Sequence, residues 1–277
     1  MPTLPPERPN PPGPWPYQQR RTAESFGVDP ERYDRTRPRY PDALVRRIVT
    51  ASPGPDVLDV GCGTGIAARQ FHAAGCTVLG VEPDSRMAEF ARRSGVEVEE
   101  GRFEDWDPAG RSFDTVIAGQ SWHWVDPAEG PAKAARVLRP GGRLAAIWHT
   151  TRPPIEVVVA FSAAVQRLVP HASPLNLQEA ARRAPEGYRQ MFASATKKIR
   201  AVGGFSDPEQ WRFEWEQSYT RDEWLETLPT SGLLTRVPPD ERAEVLESVG
   251  AAIDALGGGF TAQRAVVAVT AVRTGDV

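Results

Sequence analysis

With 277 residues, 40% of them hydrophobic and 25% charged, the chain can bury one substantial core or a core with an elaborated cap, and it reads as globular. A formal net charge of −3 and a pI near 5.9 supply no basic field for a polyphosphate backbone, which argues against nucleic acid as a substrate. No apolar run approaches the roughly 20 residues of a membrane helix, and the N-terminus opens on prolines rather than on a signal, so no membrane association and a cytoplasmic location are expected.

Residues 1–17 form a Pro-rich segment, predicted to be a disordered, extended arm. Residues 18–51 turn helical and are predicted to form a lid. The alternation of a parallel α/β sheet then begins. Strand 57–60 is followed by helix 66–74, closed by Gly75, and by strand 77–81. Asp84 or Ser85 caps a helix with Met87, Phe90 and Ala91 at core spacing that stops at Gly95. A third strand is predicted at 96–99, a fourth at 115–118, a helix over about 128–138 and a fifth strand at 143–148. Helical faces at 155–168 and 177–195 interrupt the pattern, so 151–205 is predicted to be an inserted helical cap, with 52–150 the core. Residues 206–277 complete that core through strands at 211–219 and 265–272. A solvated helical face is predicted at 239–252. The cysteines Cys62 and Cys76 suit reduced, structural thiols.

The chemistry-bearing stretch is Val57–Gly65, a buried apolar strand running into Gly61, Cys62, Gly63, Thr64 and Gly65. Glycines at alternate positions allow a sharp turn and bring bare backbone against a ligand before a helix begins. Glu82 ends the second strand, where an acid in a doubly wound sheet accepts hydrogen bonds from ribose hydroxyls. Gly61 and Gly65 span four residues, whereas the nicotinamide fingerprint spans five. Asp59 adds an acid from which a pyrophosphate gains little, so an oxidoreductase is disfavoured.

These blocks resemble the class I S-adenosylmethionine-dependent methyltransferases, and the resemblance covers roughly Phe26 to Trp148. Leu58–Gly65 resembles their first motif, Glu82-Pro83-Asp84 the ribose-binding acid and its sequel, and Phe103-Glu104-Asp105-Trp106 the place where the family holds adenine. Phe113–Ile117 resembles the fourth strand and Val137–Gly142 the turn into the fifth. The resemblance implies a Rossmann-like sheet of seven mostly parallel strands with an antiparallel terminal strand. The implied cofactor is S-adenosyl-L-methionine, with S-adenosyl-L-homocysteine as product. It implies cofactor contacts from Tyr33, Arg37, Asp59, Gly61, Cys62, Gly63, Gly65, Glu82, Pro83, Phe103, Glu104, Gly119 and Gln120. Tyr33 would cover the methionine portion and Arg37 would address its carboxylate.

Beyond the carboxyl ends of the fourth and fifth strands lie Trp122, His123 and Trp124, then Trp148, His149 and Arg152. Indoles offer apolar walls and cation–π faces, so Trp122, Trp124 and Trp148 are candidates for substrate contact. His123, ahead of His149, is the candidate general base for a phenol or alcohol. Arg152 offers an alternative: a cation that positions a carboxylate acceptor, as in the trans-aconitate methyltransferases that the chain distantly resembles. The four histidines, His72, His123, His149 and His171, show no metal-ligand spacing, so no metal is expected. The expected activity is methyl transfer to a small molecule, with the oxygen of an aromatic or polyketide-like metabolite ahead of a carboxylate, carbon or nitrogen acceptor. A catalytically silent cofactor-binding protein is the non-enzyme alternative.

Overall fold

The computed structural model describes residues 25–168 and 177–275, with the backbone alone at 177–187 and at position 236. The Pro-rich arm and His171 lie outside the described residues. The chain enters through a short turn at Ser25–Val28 and then helix α1 (Pro30–Thr36). Asp29 caps α1 by accepting from the Arg32 amide at 2.9 Å, and Pro30 fits the first helical position because its missing N–H has no partner to lose there. Helix α2 (Asp42–Thr50) follows and buries Leu44, Val45 and Ile48.

The alternating segment comprises β1 (Asp56–Val60), α3 (Ile66–Ala73), β2 (Thr77–Glu82), α4 (Ser85–Arg93), β3 (Glu97–Glu100), β4 (Phe113–Gly119), α5 (Glu129–Val137) and β5 (Leu138–Arg152). The remainder comprises α6 (Ile155–Leu168), α7 (Leu177–Val202), β6 (Glu209–Thr220), α8 (Arg221–Thr227), α9 (Pro239–Ala255) and β7 (Gly259–Val272). One seven-stranded sheet runs β3-β2-β1-β4-β5-β7-β6, and β7 is antiparallel to both of its neighbours. This is the predicted fold class.

The period-2 alternation of the strands supplies both faces of the sheet. Leu144, Ala146 and Trp148 of β5 face one core with α5 and with Phe192, Ala195 and Ile199 of α7. Ala145 and Ile147 face the other with α2, α3 and α4. Strand β5 outruns its expected carboxyl end because β7 pairs with it from Arg143–Val272 to Arg152–Gln263. In α4 the buried positions are Met87, Ala88 and Ala91, whereas Phe90 is half-buried under the Arg93 guanidinium.

The predicted cap is corrected in composition. The last turns of α7 belong to the sheet core rather than to a cap. Helix α6 packs instead on α9, where Val157, Ala164, Leu234, Val245, Val249 and Ile253 form a third apolar cluster. Helix α9 is therefore amphipathic rather than merely solvated. This cluster draws on two stretches, one after β5 and one between β6 and β7.

Candidate active site

The carboxyl ends of β1, β2, β4 and β5 open on a cavity of about 570 Å³. Its cofactor half is set by backbone geometry. After β1 the chain reverses through Gly61 at φ +64° and Gly63 at φ +57°, and the amides of Gly61 and Cys62 both donate to the Val81 carbonyl, at 2.8 and 3.2 Å. A Cβ on Gly61 would stand 2.6 Å from the Ser121 Cβ, whereas one on Gly63 would meet nothing within 4 Å. Gly61 is thus required by the fold, and Gly63 leaves a bare approach to the cavity.

Glu82 accepts from the Gly63 amide at 2.8 Å and from the Asp84 amide at 2.9 Å, which fixes its carboxylate at the tip of β2. Burial pushes its pKa up to about 7. Asp59 is 1% exposed, and burial, with Glu82 adding a like charge, pushes it to about 7 as well. Both Asp59 carboxylate oxygens are buried without a hydrogen-bond partner, and the residue lines the cavity. A cationic ligand would satisfy these oxygens.

Pro83, Phe103, Glu104, Gly119 and Gln120 also line the cavity. Lys133 holds the Phe103–Trp106 loop by donating to the carbonyls of Glu104 and Trp106. The Glu104 carboxylate accepts from the Asp126 amide at 2.7 Å. Gln120 adopts φ +61°, a costly conformation for a residue with a side chain and one that clusters at functional sites. Gly119 must lack a Cβ, which would lie 2.4 Å from the Tyr40 hydroxyl oxygen.

The lid brings Tyr33 and Arg37 to the cavity with Phe26. Phe26 meets Tyr33 and Trp124 edge-on at 6.0 and 6.2 Å, and the Arg37 guanidinium lies 4.7 Å from the Tyr33 ring. Arg37 donates to the Thr230 carbonyl. Ser25 and Thr235 share a hydroxyl hydrogen bond of 2.6 Å, and Arg35 pairs with Glu226 at 2.6 Å. The lid is therefore fastened to the segment between β6 and β7.

The acceptor half departs from expectation in several places. Gly65 does not line the cavity; it begins α3 at φ +84°, where a Cβ would press within 2.9 Å of Val96. Trp122 lies behind the wall, buried in the core 6.5 Å from the Phe103 ring. Arg152 is exposed at the end of β5 and is absent from the lining. Trp124 and Trp148 border the cavity, but the Trp148 indole is wholly buried against Phe192 at 5.5 Å.

The Trp148 indole donates to His123 Nδ1 at 3.2 Å, and an indole N–H can only donate. His123 therefore accepts on Nδ1 and carries its proton on Nε2, while burial pulls its pKa down to about 4. In this arrangement it is a neutral imidazole whose Nδ1 is engaged by the indole. His149 is 6% exposed, stacks on Tyr40 at 4.7 Å and has Nδ1 3.4 Å from an Arg264 amino group. A guanidinium also only donates, so His149 likewise holds its proton on Nε2. Its pKa is pulled to about 3 by burial first, then by Arg264 and Arg37.

Sequence reading missed Phe26, Tyr40, Tyr188, Tyr219 and Arg264, all of which line the cavity. Arg264 had a signal: it is a lone cation immediately before the apolar run 265–272. Among the described residues no group of three or more His, Cys, Asp or Glu could hold a metal, and no helix is long and apolar enough to cross a membrane.

A doubly wound sheet with a glycine turn after β1 and an acid at the tip of β2 defines a Rossmann-like nucleoside-binding protein. Residues 58–146 match the family model for a methyltransferase domain. Over these residues the chain is similar to class I S-adenosylmethionine-dependent methyltransferases. An uncharacterized methyltransferase of Mycobacterium tuberculosis is 38% identical over 128 residues, 46% of this chain and 52% of that one. A ubiquinone biosynthesis O-methyltransferase of Thiobacillus denitrificans is 37% identical over 108 residues, 35% of this chain and 47% of that one. The chain spans about half the length of these curated relatives. A solved structure from Anaeromyxobacter dehalogenans, described as a type II methyltransferase, superposes with a TM-score of 0.54 at 27% identity, covering 84% of this chain and 97% of that one.

Proposed function

We propose that the protein transfers the methyl group of S-adenosylmethionine to an oxygen of a small, partly apolar, aromatic or polyketide-like acceptor. The observation that carries this reading is one cavity with two unlike halves: buried acids and bare glycine backbone at one end, and an aromatic, histidine-bearing wall at the other. The cofactor supplies an electrophilic methyl on a sulfonium. Glu82 and the Gly61–Gly63 turn suit its nucleoside, Asp59 its cationic amino group, and Arg37, by family resemblance, its carboxylate.

For such a displacement the chain's main contributions are alignment and exclusion of water. The fastened lid serves exclusion. With both imidazoles acting as donors, His123 and His149 hold an acceptor through Nε2–H instead of removing its proton. An acceptor that ionises readily, such as an acidic phenol, fits that arrangement. The cavity's volume of about 570 Å³ and the overall acidic charge favour a small molecule over a macromolecule.

The test is calorimetric titration with S-adenosylmethionine, S-adenosylhomocysteine and NADH, followed by methyl-transfer assays on phenols, amines and carboxylates. Adenosyl-ligand binding lost in Glu82→Ala, with transfer to phenols, is the expected result. Binding of NADH alone, or transfer confined to nitrogen or carbon acceptors, overturns the proposal. The relative named for ubiquinone biosynthesis O-methylation, matched over 108 residues, favours oxygen as the acceptor atom.

A further inference from the structure

Arg264 projects from β7, opposite Thr151 of β5 and Trp215 of β6, and is 5% exposed. Its five N–H donors meet three acceptors: Tyr219 Oη, Gln217 Oε1 at 3.4 Å and His149 Nδ1 at 3.4 Å. None is a carboxylate, and Nε has no partner. His149 Nε2, buried in the same corner, has none either. Among the described residues the other buried arginine, Arg143, lies at the opposite end of the sheet, where the Ala51 carbonyl and the Thr270 hydroxyl accept from it.

A buried cation without a counter-ion is costly, and leaving its donors unmatched adds to the cost. Here it borders a ligand cavity. Of the acids that line that cavity, Asp59 and Glu82 lie on β1 and β2, Asp84 pairs with Arg86 at 2.6 Å and Glu104 with Arg102 at 3.3 Å.

We propose that Arg264 and His149 form an anion subsite, and that the methyl acceptor carries a carboxylate held there by the guanidinium and the Nε2–H. A planar fork suits a carboxylate. One guanidinium with a neutral imidazole matches a single negative charge and would leave a phosphate dianion undercompensated. The surroundings suit an aromatic acid: Trp215 lies 5.5 Å from the guanidinium, and Tyr40 stacks on His149. The anchored carboxylate has its lone pairs engaged by donors, so the methylated oxygen is a different one on the same molecule. The subsite also assigns to Arg264 the role expected of Arg152. This inference rests on the methyltransferase reading above and narrows its acceptor to organic acids.

The experiment loads the full chain with S-adenosylhomocysteine and titrates benzoate, para-hydroxybenzoate and salicylate against the three matched amides. At least one acid is expected to bind 10-fold or more tighter than its amide. Arg264→Gln should erase that preference and Arg264→Lys should retain part of it, with the affinity for S-adenosylhomocysteine unchanged in both. Acids that bind no tighter than their amides, a preference that survives Arg264→Gln, or a loss of S-adenosylhomocysteine binding in both Arg264 variants overturns the subsite. Failure of the unmodified protein to bind S-adenosylhomocysteine overturns instead the methyltransferase reading on which it rests.

Discussion

The two halves of the cavity are built by different means. The cofactor half is made of consecutive residues: Asp59 to Gly63 and, one strand later, Glu82, joined by backbone hydrogen bonds that leave side chains little choice. The other half is assembled from β4, β5, β6, β7, α7 and the segment that links β6 to β7, and its polarity is set by side chains that meet across as many as 115 residues. Local backbone geometry shapes the first half, whereas tertiary assembly sets the side chains of the second, among them the buried His149 of β5 and Arg264 of β7.

That contrast can be broken most forcefully at Glu82. Glu82→Gln removes a charged acceptor and unsettles the Gly63 and Asp84 amides, and is expected to weaken adenosyl-ligand binding by roughly 100-fold in calorimetry. Binding of an acceptor analogue to the other half should change far less.

Next come the paired glycine substitutions. Gly61→Ala drives a Cβ against Ser121 in addition to straining a positive φ, and is expected to cost about 2–4 kcal/mol in denaturant unfolding. Gly63→Ala meets open space and should cost about 1 kcal/mol or less, while still lowering cofactor affinity because the new methyl group faces the cavity.

Asp59 sharpens the electrostatic side of the comparison. Its carboxyl, near 3.8 when unfolded and about 7 when folded, holds a proton in the native state that the unfolded chain has released. The folded form thus binds more protons between those values, and apo-protein stability falls as pH rises through that window. Asp59→Asn is expected to flatten the decline and to stabilise the ligand-free protein at pH 8 by on the order of 1–3 kcal/mol, as read by thermal melting across pH. It should also weaken cofactor binding, which separates function from stability.

Smaller effects are expected in the acceptor half. His123→Gln keeps a donor, so kcat should fall by less than about 10-fold, with the same kcat–pH profile as the unmodified protein between about pH 6 and 8. A lost inflection in that range would restore His123 as a base. Arg152→Ala, at an exposed strand end, should change stability by no more than about 0.5 kcal/mol and leave acid binding intact.

The cofactor half was legible because its chemistry depends on near neighbours in sequence. Gly61 to Gly65 announce a turn through their spacing, and Glu82 lies where any β2 in such a sheet must end. Gly65 shows the limit of that reading, since the same local pattern opens on the cavity at Gly63 and serves helix packing at Gly65. In the acceptor half, residue type alone misled: Trp122 and Arg152 have suitable chemistry but face the core and the outside. His123 has a suitable ring, but the Trp148 indole chooses its tautomer.

The sequence by itself determined the α/β alternation, the glycine turn and the acid that ends β2, because hydrophobic period and backbone conformation are local properties that a chain carries wherever it folds; the cofactor followed from resemblance to a known family. Only the tertiary structure decided that α6 and α9 share a cluster, that the lid is fastened through Ser25, Arg35 and Arg37, and that Arg264 rather than Arg152 stands in the cavity. Those outcomes depend on which side chains are deprived of water and of counter-charge when distant strands pair, and no local pattern encodes that.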